Sequence, residues 1–146
     1  MEAYYIVNDP KDPLAVKATE IRKQDYLFWK DAKPDLEDDF DITCHTLATR
    51  TGLSERRTRD ITMALYRLAE LPLTMAMQET YYFLDFSRLI TIDAVLSKLG
   101  DVPAETLERI DQELSRYLTP SNPRQVLPSN TNLRRKLNGL IAIENP

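Results

Sequence analysis

The stretch from Leu47 to Leu68 limits this chain more than any other. Ile61, Ala64, Leu65 and Leu68 repeat at i, i+3, i+4 and i+7, a stripe only an α-helix brings to one face. Ahead of it stand Gly52, Leu53 and Ser54. Gly52 suits the left-handed turn that ends a helix, and Ser54 suits the cap that starts one. Leu47 and Ala48 supply the inner side of a short preceding helix, and Leu53 is expected to pack between the two. Glu55 sits well against the positive end of the second helix. The pattern is that of a helix-turn-helix unit at about 43–69. Thr58 stands where such units usually carry a branched apolar residue. A threonine there can bond back to the helix and still pack its methyl group.

The flanking sequence extends the helical reading. Asp12 and Pro13 open a first helix, as cap and first-turn proline. Leu14, Ala18, Ile21, Phe28 and Ala32 follow at near-helical spacing as its expected core face, with Leu27 and Trp29 beside them. Residues 1–11 read as an N-terminal arm. Leu71-Pro72 ends the stripe-bearing helix or begins the next, and Leu73, Met75, Ala76, Met77, Tyr81 and Leu84 form a further apolar segment. Asp85 or Ser87 can cap a helix carrying Leu89, Ile92, Leu96 and Leu99 before Gly100 stops it. Pro103 opens another with Leu107, Ile110, Leu114 and Leu118 inward, and Glu105, Glu108, Asp111 and Glu113 expected to face water. Pro120, Pro123 and Pro128 make 119–130 an extended strap. A last helix carries Leu133, Leu137, Leu140 and Ile141. The expected fold is therefore all-α, a single multi-helix domain over 12–146 with about six helices and one helix-turn-helix unit. Only three glycines among 146 residues fit that class better than a turn-rich β fold.

Charge decides which partners are open to such a domain. Nineteen basic residues against twenty-three acidic ones leave a net charge of −4, so nucleic-acid binding needs a local patch. Two are present. Arg50 to Arg67 holds five basic residues and two acids, and 124–136 holds four basic residues and no acid. Arg56, Arg57 and Arg59 lie on the first turns of the second helix of the unit, the part that enters a major groove. Arg134, Arg135 and Lys136 are candidates for phosphate contacts. The alternative is that these cations form a solvated helix face. Between Asp31 and Asp41 six acids face one lysine, which favours a solvated connector over a metal site built from Asp38, Asp39 and Asp41.

Catalytic chemistry has few residues to work with. His45 is the one histidine and adjoins the one cysteine, Cys44. Helical neighbours point about 100° apart, so the two do not form a natural dyad. No phosphate-cradling glycine loop, CxxC or HExxH occurs. The expectation is a non-enzyme with no cofactor and no metal. A single cysteine fits a reducing compartment, and neither a signal peptide nor a membrane-length apolar run is visible. The expectation from these features is a cytoplasmic protein without a membrane partner.

Thr51-Gly52-Leu53-Ser54-Glu55-Arg56, Tyr66-Arg67-Leu68, Leu71-Pro72, Tyr117-Leu118-Thr119-Pro120 and the proline-rich strap before a basic helix resemble domain of unknown function 222. The resemblance covers approximately residues 12–146. That domain commonly precedes an HNH endonuclease module in actinobacterial proteins and their phages. The resemblance implies a helical targeting or assembly region, with cutting done by a downstream module bearing several histidines and an asparagine around a divalent metal. This chain has one histidine and ends before such a module, so no catalytic residue carries over. The expected function is a non-catalytic domain that binds or targets double-stranded DNA, the N-terminal part or a stand-alone relative of an HNH endonuclease-like protein. The alternative is a protein-interaction or homodimerisation module with no direct DNA contact.

Overall fold

The computed structural model describes residues 9–33, 40–122 and 124–144, with the side chains of 40–43 and 144 excluded. The arm before Asp9, the carboxylates of Asp38, Asp39 and Asp41, and the Asn145-Pro146 end lie outside the described residues. Among the described residues seven helices follow one another and no strand occurs. They are α1 (Pro13–Ala32), α2 (Phe40–Thr51), α3 (Glu55–Ala69), α4 (Pro72–Tyr81), α5 (Phe86–Ser97), α6 (Ala104–Leu118) and α7 (Asn130–Glu144). The all-α single domain is as expected. The count is seven rather than about six, because Pro72 opens a separate helix directly after α3.

Local caps set most of these starts. The side chains of Asp12, Ser54 and Asp85 accept from the backbone N–H groups of Leu14, Arg57 and Arg88. Each satisfies a donor that a helix start otherwise leaves open. Gly52 and Gly100 take φ values of 77° and 68° behind α2 and α5, the left-handed geometry glycine reaches without a Cβ penalty.

α5 is the central element. It packs against α3 on one side and α7 on the other, while α4 pairs with α6 and α2 with α3. Leu89, Ile92, Val95 and Leu96 of α5 meet Ile61, Leu65 and Leu68 of α3 and Leu133 and Leu137 of α7 in one continuous core. Fully burying a leucine-sized side chain contributes about 1.5–3 kcal/mol. The expected stripes of α3 and α6 are buried, except that Leu107 is only partly covered.

Three expected faces differ. In α1 the core side is Ala15, Tyr26 and Trp29, while Leu14, Ile21, Leu27 and Phe28 are exposed. The buried aromatics hold that orientation because each has a partner. The Tyr26 hydroxyl donates to Glu79 at 2.8 Å, and Trp29 meets Phe86 edge-on at 6.3 Å. Arg22 Nε donates to the carbonyl of Tyr82 at 3.2 Å on the same side. In α4, Thr74, Met77 and Gln78 face inward and Leu73 is exposed. The Gln78 side-chain amide donates to the Leu84 carbonyl at 3.1 Å, and its oxygen accepts from Leu84 N–H at 3.0 Å, closing the loop into α5. In α6, Asp111 does not face water. It is 2% exposed and serves α4. The strap is pinned where Arg88 Nε donates to the Pro128 carbonyl at 2.8 Å.

Candidate nucleic-acid interface

The turn between α2 and α3 is built from short-range bonds. Gly52 N–H donates to the Ala48 carbonyl at 2.9 Å, and the Thr51 hydroxyl donates to the Leu47 carbonyl at 2.7 Å. Ser54 Oγ accepts from Arg57 N–H at 3.0 Å, and the Thr58 hydroxyl donates back to the Ser54 carbonyl at 2.9 Å. Thr58 is wholly buried, so it back-bonds and packs as expected. Thr62 repeats the arrangement one turn on, with its hydroxyl on the Thr58 carbonyl at 2.9 Å. Leu53 departs from expectation. Its N–H turns back to Thr51 Oγ1 at 3.4 Å, and its side chain is 38% exposed instead of wedged between the helices.

This turn positions the first group of cations. Arg56 and Arg57 are exposed on the opening turn of α3, and Arg59 is half-buried. Glu55 beside them hydrogen-bonds to Nδ1 of His45 in α2, joining the two helices at the surface. His45 is exposed and Cys44 is buried, so the neighbours face different surroundings. Cations at a helix N-terminus oppose the macrodipole by about 0.3–1 kcal/mol each. Helix stability therefore gives no reason for two adjacent arginines after Ser54.

Arg67, counted in the same basic stretch, behaves differently. Its guanidinium lies 3.1 Å from Asp93 and 3.3 Å from Glu70, and its side chain is 16% exposed. Its charge is committed to tying α3 to α5. Sequence position alone does not separate it from Arg56, because Asp93 stands 26 residues away.

The second group lies on the opening turns of α7. Arg134 and Arg135 are exposed, and Arg135 Nη1 donates to Asn132 Oδ1 at 3.3 Å. Lys136 is half-buried, with its ammonium 5.4 Å from the Tyr117 ring centroid. Arg124, from the same basic tract, pairs with Asp9 at 2.9 Å. The two cation groups thus sit on different helices, both packed on α5.

Other polar clusters serve the fold. Asp111 Oδ1 accepts from Thr74 N–H at 2.9 Å and from the Thr74 hydroxyl at 2.7 Å, and Oδ2 accepts from Leu73 N–H at 2.9 Å. It supplies the cap that Leu71, the residue before α4, cannot. A helical wheel places Asp111 beside Leu107 and Leu118, so the sequence did carry a signal for its burial. Tyr26, Lys30 and Glu79 form a second cluster. Burial, and then the bond to Glu79, push the Tyr26 phenol well above its usual range. Burial also acts to raise Glu79, but hydrogen bonds from Lys30 and Tyr26 outweigh it and hold the carboxyl below its ordinary value. Among the described residues, no group of three or more histidine, cysteine or acidic side chains could hold a metal ion. Among the same residues, no helix is long and apolar enough to cross a membrane. No protein-family model, curated protein or solved structure matches the chain.

Proposed function

We propose that this chain is a non-catalytic helical domain that binds or targets double-stranded DNA, with α2, the Gly52 turn and α3 acting as a helix-turn-helix unit. The observation that carries the reading is the pair Arg56 and Arg57, exposed on the Ser54-capped turn of α3. Their position opposes the helix dipole, and it is the part of a recognition helix that reaches base edges and phosphates. Arg59, on the next turn, adds to the same surface. Arg134, Arg135 and Lys136 form a secondary phosphate-contacting group. Arg67 belongs to neither, since its charge is held by Asp93 and Glu70. The reading keeps the resemblance to the region that precedes HNH endonuclease modules as its family context.

The test is binding to a mixed-sequence duplex, followed by fluorescence anisotropy across a salt series. Replacing Arg56 and Arg57 by Ala should weaken binding and flatten the salt slope by about 0.9 for each phosphate contact removed. A double variant that binds duplex with the parent's affinity and slope removes this surface from the account.

A further inference from the structure

Three large apolar side chains of α1 stand in solvent at intervals of seven residues. Leu14 is 64% exposed, Ile21 51% and Phe28 43%. A seven-residue interval drifts only about 20° around a helix, so the three form one ridge about 21 Å long at 1.5 Å per residue. The ridge is held rigid from behind, because the core side of the same helix docks through Tyr26, Trp29 and Arg22.

The ridge is complementary to itself in one orientation. About a two-fold axis at Ile21, an antiparallel copy sets Leu14 level with Phe28, Ile21 level with Ile21, and Lys17 level with Asp25. A parallel copy sets Lys17 against Lys17 and Asp25 against Asp25, and like charges placed opposite each other are unfavourable. An isologous two-fold contact is the commonest symmetry of a homodimer.

From this we infer that two copies of the chain pair through α1, antiparallel about Ile21, with Leu14, Ile21 and Phe28 as the apolar seam and Lys17–Asp25 ion pairs spanning it one turn either side of Ile21. The pairing does not depend on DNA contact. The seam is short and falls at the small end of specific interfaces, so the dimer is weak.

Sedimentation velocity of the full chain over a concentration series tests the pairing. The expected result is a monomer–dimer equilibrium that Ile21→Glu weakens at least about tenfold. Measured at concentrations low enough that the parent is monomeric, the melting temperature should stay unchanged, because Ile21 of the monomer is already half in solvent. Lys17→Glu should weaken the dimer, and the double variant K17E/D25K should restore it. In a mixture of Leu14→Cys and Phe28→Cys chains, oxidation should join position 14 to position 28 in preference to like positions. A chain that stays monomeric, a dimer indifferent to Ile21→Glu, or preferred 14–14 and 28–28 links would each overturn the inference. Monomers whose melting temperature falls with Ile21→Glu would assign the ridge to another segment of the same chain. Monomers whose melting is unaffected would leave it to a different protein. Both outcomes also count against pairing.

Discussion

Asp111 of α6 caps α4 from 37 residues away, accepting from both the backbone N–H and the hydroxyl of Thr74. The carboxylate is 2% exposed, and Leu73 N–H occupies its other oxygen. One side chain thus substitutes for a missing local cap and fixes how α4 packs on α6.

Asp111→Ala should therefore destabilise the domain by about 2–4 kcal/mol, since it leaves several polar groups unpaired, two of them on the wholly buried Thr74. Urea unfolding monitored at Trp29 measures this. Thr74→Val removes only the hydroxyl and should cost about 1 kcal/mol. Equal costs for the two variants would mean that the hydroxyl alone matters and that capping does not.

The Tyr26–Glu79–Lys30 cluster makes part of the stability depend on pH. The folded-state pKa of Glu79 lies below its unfolded value. Its contribution is therefore complete above the unfolded carboxylate value of about 4.3, and it is lost as pH falls through the folded value. The stability gap between the parent and Glu79→Gln should stay constant from about pH 6 upward and close as pH drops below about 4. Urea melts from pH 3 to pH 7 check it. A gap that persists undiminished at pH 3 contradicts the assignment.

Arg67 and the pair Arg56 and Arg57 should separate experimentally. Breaking the largely buried Arg67–Asp93 pair leaves a carboxylate without its partner, so Arg67→Ala should cost about 1–3 kcal/mol of stability. It should leave duplex affinity unchanged under conditions where the variant is folded. Thermal melts and DNA titrations of this variant beside R56A/R57A give both readings. Weakened DNA binding by folded Arg67→Ala would show that the basic stretch acts as a whole.

How much of this was legible follows from the range of each interaction. The caps at Asp12, Ser54 and Asp85 bond two or three residues ahead, so their local sequence suffices, although Asp85 and Ser87 are equivalent by residue type and only the bond from Arg88 N–H distinguishes them. The stripes of α3 and α6 were readable because each is long and strictly periodic. The inner face of α1 was not readable. Leu14, Ile21 and Phe28 are better spaced than Ala15, Tyr26 and Trp29, but the latter side owes its burial to Glu79, Phe86 and Tyr82, which lie far along the chain. The same reason hid the role of Asp111 and made Arg67 look like Arg56. Leu53 stays outside the space between the helices because the turn bond to Thr51 Oγ1 sets the local backbone. Residue type alone did not show that bond.

The central claim concerns the opening turn of α3, and an amide-resolved NMR titration with a short mixed-sequence duplex at low salt addresses it most directly. The account predicts that the N–H signals of Leu53 to Arg59 shift together and saturably, with smaller shifts at Arg134 to Lys136. Raising the salt should reverse both sets. Shifts confined to α7, or none at all on a folded protein, would contradict it.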